Sequence, residues 1–106
     1  MTTKDQVGKL ELMVLLALLR VGNDAYGVPI AQEIMEIGGK VSIGSVYAAL
    51  DRLERKRYVS SSLGDPSPER GGRAKKYFRV TSTGVRQVRD AQRTLTTLWR
   101  NIPALR

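Results

Sequence analysis

The sequence predicts a mainly α fold that carries one small antiparallel β hairpin. Three observations predict it. Residues 42–56 form one amphipathic helical segment, with Val46, Ala49, Leu50 and Leu53 on a single apolar face. Residues 58–63 and 73–80 alternate at period two, as a half-buried sheet requires. Residues 64–72 join them with two prolines and three glycines in nine residues, a turn composition. Three further segments have helical character, and a length of 106 residues suits one domain.

Taken in order, residues 10–19 are good helix formers uninterrupted by Gly or Pro. They are apolar almost all round, so this helix must be covered on several sides. In so small a protein, Leu12, Leu15, Leu16 and Leu19 are expected to meet a second copy of the chain. Gly22-Asn23-Asp24 is a turn. A second helix is expected over residues 26–37, with Ile30, Ile34 and Ile37 on the core stripe and Pro29 tolerated only in its first turn. Gly38-Gly39 ends it. Residues 41–43 are expected to add a short strand beside the hairpin. Ser42 suits the N-cap of the third helix.

Thr81 is the expected N-cap of a last helix that runs to about Asn101, before Pro103. Val88, Ala91, Leu95, Leu98 and Ile102 are spaced 3, 4, 3, 4, a short heptad seam suited to dimerisation. Residues 8–80 are thus expected to form one functional region and residues 81–106 a C-terminal dimerisation helix. No repeat and no second domain are legible.

Composition excludes several classes. There is no cysteine, so no disulfide framework and no thiolate metal site. There is no histidine, the commonest general base and metal ligand. Glu33 and Glu36 are helical neighbours and not a converging acid–base pair. No enzyme activity, cofactor or metal is expected. The longest apolar run, residues 12–19, is far short of the roughly 20 residues that span a bilayer. With no strongly basic leader, the expectation is a soluble protein of the reducing cytoplasm.

The net charge of +8 is unevenly placed: −2 over residues 1–51, +6 over 52–79 and +4 over 80–106. The positive part covers the end of the third helix, the hairpin and the last helix. Such a surface attracts phosphate backbones through counterion release, whatever the base sequence.

A helix sized for the major groove beside a basic hairpin is how a winged helix-turn-helix holds duplex DNA. Ser42, Gly44, Ser45, Tyr47 and Ala48 lie at the start of the candidate reading helix. Ser42, Ser45 and the Tyr47 phenol offer hydroxyls, Gly44 permits close backbone approach, and Ala48 suits a thymine methyl. Arg52 and Arg55 reach phosphates further along. Arg70, Arg73, Lys75 and Lys76 are the candidate wing cations, four charges in seven residues without an acid. Trp99, the one tryptophan, either fills the dimer seam or offers a stacking surface to a small aromatic or cationic effector. The competing function is a winged-helix module that binds protein and not specific DNA.

Several stretches together resemble one family. They are Gly8-Lys9-Leu10-Glu11-Leu12, Tyr26-Gly27, Ser45-Val46-Tyr47-Ala48-Ala49-Leu50-Asp51-Arg52-Leu53-Glu54, Gly72-Arg73-Ala74-Lys75-Lys76-Tyr77-Phe78 and Val80-Thr81-Ser82-Thr83-Gly84. In this order, over residues 8–86, they resemble the PadR family of bacterial transcriptional regulators, in its small subgroup with a single C-terminal helix. The resemblance implies a homodimer joined through the first and last helices. It also implies repression from an inverted-repeat operator and, in some relatives, release by planar ligands. Arg57 departs from the pattern, standing where a glycine is often found, as does Pro29 in the second helix.

Overall fold

The computed structural model describes residues 6–22, 25–64 and 75–106. Helix α1 spans Lys9–Val21. Its N-terminus is closed by Glu11, whose carboxylate accepts the Gly8 N–H at 3.0 Å. Val14, Leu15, Ala17 and Leu18 are buried in the domain's own core, while Leu16 and Leu19 face outward and Leu12 is half-buried. The expectation that Leu15 meets a second copy is therefore corrected. It is fully buried, because its face of α1 is the one that the other helices cover. Leu12, Leu16 and Leu19, spaced i, i+4, i+7, form the face left over.

Helix α2 spans Gly27–Glu36. Ile30, Ala31 and Ile34 are buried. Ile37 is exposed, against expectation, because the helix ends at Glu36 and Ile37 is only its C-cap. Gly38 follows at φ 102°, the left-handed conformation that glycine adopts without strain.

Helix α3 spans Ile43–Arg55, and Val46, Ala49, Leu50 and Leu53 are its buried face, as the periodicity predicts. It ends in a Schellman motif: Tyr58 N–H donates to Leu53 O at 2.9 Å and Arg57 N–H to Glu54 O at 3.0 Å. The left-handed residue of that motif is Arg57, at φ 65°.

Strands β1 (Val59–Leu63) and β2 (Lys76–Val80) pair antiparallel, with Val59 opposite Val80 and Ser61 opposite Phe78. Residues 41–43 add no strand, because Ile43 already belongs to α3. The extra pairing comes instead from Ala25, whose carbonyl accepts the Phe78 N–H at 2.8 Å. Tyr58, Val59, Phe78 and Val80 close the core formed by the first three helices.

Helix α4 spans Ser82–Trp99, capped by the Thr81 hydroxyl, which accepts the Gly84 N–H at 3.0 Å. Gly84 sits so close to the Tyr58 carbonyl that a Cβ would lie 2.1 Å from its oxygen. From Gln92 onward every residue of α4 is exposed, and a 3-10 turn, Pro103–Leu105, follows. The second half of the helix thus buries no residue in its own domain. Among the described residues no helix is long and apolar enough to cross a membrane, and no group of three His, Cys, Asp or Glu could hold a metal ion.

Candidate nucleic-acid interface

Burial of one face of α3 turns the opposite face to solvent. Ser42, Gly44, Tyr47, Ala48, Asp51, Arg52 and Arg55 are exposed there, and Ser45 is half-buried. The two serines are not equivalent. Ser42 Oγ accepts the Ser45 N–H at 3.0 Å, while Ser45 Oγ accepts the Ser42 N–H at 3.2 Å and donates to the Ser42 carbonyl at 2.8 Å. Ser45 has spent its hydroxyl proton on the cap, whereas Ser42 keeps its own to donate outward. Arg55 is folded back on Asp51, with 2.6 Å between them.

Tyr47 is placed by α2. The hydroxyl-bearing end of its ring lies on the backbone of Gly27, where a Cβ would stand 2.4 Å from Tyr47 Cζ. The N-terminus of α2 has no side-chain cap, and its partial positive charge lies beside the phenol.

Of the four wing cations, Arg70 and Arg73 lie outside the described residues. The other two are already engaged. Lys75 Nζ stands 3.5 Å over the ring of Tyr26. Lys76 Nζ is 3.1 Å from Glu54 Oε1 in the last turn of α3. Glu54 also accepts the Ser61 hydroxyl of β1. The Ser61 hydroxyl first, and Lys76 second, hold the Glu54 carboxyl below the ordinary glutamate range.

Sequence reasoning overlooked Tyr26, Glu54 and Ser61 as parts of this surface. Glu54 is the one carboxylate between Arg52 and Lys56, a signal that a local charge count could have found. The pairing of Tyr26 with Lys75 joins the N-cap of α2 to the residue before β2, with α3 and β1 between them in sequence, and left no local trace.

A cavity of about 710 Å³ lies between α1 and α4, lined in part by Leu12, Leu16, Val88, Leu95 and Trp99. Trp99 and Leu98 are largely exposed, as is Leu95 in part, and Val88 and Ala91 are half-buried. Ile102 continues the seam beyond the helix.

This architecture has known counterparts. It is similar to a PadR family transcription regulator from Clostridium difficile R20291, with a TM-score of 0.71 at 23% identity over 86% of this chain and 91% of that one. It is also similar to a PadR family transcriptional regulator from Eggerthella lenta, with a TM-score of 0.72 at 24% identity over 88% and 80% of the two chains. An uncharacterised protein of Lysinibacillus sphaericus is 35% identical over 80 residues, 73% of this chain and 69% of that protein. The model of the transcriptional regulator PadR-like family matches residues 15–90. Its members are DNA-binding regulators and not enzymes, and the winged helix seen here is their fold. The chain belongs to the PadR-like family of transcriptional regulators.

Proposed function

We propose that the chain is a homodimeric repressor that reads an inverted-repeat operator in the cytoplasm. The observation that carries this reading is the division of α3, whose apolar face is wholly buried while Ser42, Gly44, Tyr47, Ala48 and Arg52 share a solvent face. That face enters the major groove. Ser42 donates to a phosphate, Tyr47 brings its phenol to the backbone from the α2 N-terminus, and Arg52 adds charge further along. Arg70 and Arg73 supply wing charge to the flanking backbone.

The seam of half-buried Leu12, Val88 and Ala91 and exposed Leu16, Leu19, Leu95, Leu98 and Ile102 joins two copies. Two-fold symmetry then sets two α3 helices at half-sites about one helical turn apart. A small aromatic or cationic effector stacks on Trp99 in the cavity between α1 and α4. It releases DNA by favouring a dimer whose reading helices are spaced wrongly for that pitch.

The test is selection of genomic fragments by the purified protein, then footprinting and a salt titration of the best site. A protected inverted repeat with a steep salt slope is the expected result. Uniform weak binding to every fragment would reject operator reading and favour a module that binds protein.

A further inference from the structure

Two strands alone are marginally stable in water, so the attitude of a hairpin depends on what it is tied to. Val59 and Val80 anchor its helix-side end in the core, and its loop-side end, where Lys76 pairs with Leu63, is tied on both faces. Consecutive residues of an extended chain point in opposite directions, and Lys75 and Lys76 use this to grip different helices. Lys75 Nζ caps the Tyr26 ring from 3.5 Å, and Tyr26 is the N-cap residue of α2. Tyr77 meets the same ring edge-on, with centroids 6.0 Å apart and planes at 86°. On the other side Lys76 pairs with Glu54 of α3 at 3.1 Å. The second oxygen of that carboxylate takes the Ser61 hydroxyl, so Glu54 holds both strands at once.

We infer that Lys75, Lys76 and Glu54 are positioning residues that set the angle of the wing to the reading helix, and that neither lysine neutralises a DNA phosphate. The charge arithmetic supports this. A Lys76–Glu54 pair carries no net charge, so laying it beside a phosphate releases no counterion. To reach a phosphate, Lys76 would have to abandon a carboxylate that the Ser61 hydroxyl helps keep ionised. Lys75 would have to leave the Tyr26 ring. The inference deepens the DNA-reading proposal and rests on it for its functional meaning.

Two measurements test it. The first is binding of Lys75→Gln, Lys76→Gln, Glu54→Gln and the Glu54→Gln/Lys76→Gln pair to a mixed-sequence duplex across a salt series. Each variant should bind about two- to five-fold more weakly than wild type. The salt slope should not change, and the pair should be no worse than its weaker member. A slope reduced by about 0.9 in either lysine variant, the value of one lost phosphate contact, would overturn the inference. So would tighter binding by Glu54→Gln, which would show Lys76 released to DNA.

The second measurement needs no DNA, so it separates failure of this inference from failure of the DNA-reading proposal. Residual dipolar couplings of β1 and β2 amides in the free protein are read against those of α3. They should shrink or reorient in the Lys75→Gln/Lys76→Gln variant while those of α3 hold. Unchanged hairpin couplings would sink the clamp even if wild type binds DNA well, and altered ones would support it even if no duplex binds.

Discussion

The phenol end of Tyr47 rests on the backbone of Gly27, where even one added carbon would stand 2.4 Å from the ring. A residue at the mouth of α2 therefore dictates where the aromatic side chain of α3 points. Gly27→Ala must push the ring aside. It should cost about 1–3 kcal/mol in urea unfolding through overpacking, and DNA affinity should fall with it. Adding Tyr47→Ala should restore stability without restoring binding. Tyr47→Phe, which keeps the ring and removes the hydroxyl, should weaken binding by about 1 kcal/mol at every site. Equal binding by Tyr47→Phe and wild type would remove the phenol from the interface.

Arg57 occupies the left-handed position of the turn between α3 and β1, at φ 65°. Glycine meets that conformation without the steric cost that a Cβ imposes. Arg57→Gly should stabilise the protein by about 1 kcal/mol in chemical denaturation. Arg57→Ala, which keeps the Cβ, should give no such gain. A destabilised glycine variant would mean that the arginine side chain does more for the fold than its strain costs.

Glu11 and Lys56 join the start of α1 to the end of α3 at 2.8 Å, with both side chains largely shielded. Burial alone would push the Glu11 carboxyl up. The Lys56 hydrogen bond, the Gly8 N–H and the charges of Lys56 and Arg52 outweigh it and hold the group below the ordinary glutamate value. A carboxyl depressed on folding adds stability above its unfolded value, near 4.5, and that stability is lost as pH falls through the folded value. Glu54 acts in the same direction. Melting temperature should therefore drop below about pH 4.5, and less steeply in Glu11→Gln. Lys56→Met leaves the carboxylate shielded and unpaired, and should cost about 1–3 kcal/mol at neutral pH.

The buried face of α1 and the exposed end of α4 make opposite predictions. Leu15→Ala opens a cavity in the domain core and should lower stability by about 2–5 kcal/mol whatever the oligomeric state. Leu98→Glu changes a side chain that is largely exposed in the single chain. It should leave the fold intact and shift sedimentation from dimer to monomer, taking operator affinity with it. A Leu98→Glu protein that remains dimeric would place the subunit interface elsewhere.

Trp99, the one tryptophan, is about 65% exposed in the single chain. Its emission should therefore shift to the blue on concentrating the wild-type protein, as subunits associate, and should stay red in Leu98→Glu. A planar cationic ligand should quench it in the dimer if the cavity beside it takes an effector.

Most of the fold was legible in local pattern. Helical periodicity marked α2, α3 and α4, an unbroken run of helix formers marked α1, the alternation at Phe78 and Val80 marked the hairpin, and Ser42 and Thr81 marked two helix starts, because propensity, caps and amphipathic faces depend on residues only a few positions apart. The exposed face of α3 followed for the same reason, being the complement of a periodic apolar one. Tertiary structure decided what local pattern does not encode. Leu15 and Leu16 are adjacent and chemically alike, and only the placement of α2 and α3 buries the first and leaves the second outside. Ile37 continued its stripe on paper yet lies beyond the helix end. Lys75 and Lys76 looked like free wing charges until folding brought Tyr26, some fifty residues away in sequence, and Glu54 against them. A cation's partner is chosen by distance in space, and sequence spacing carries that information only within a helical turn or across a strand pair.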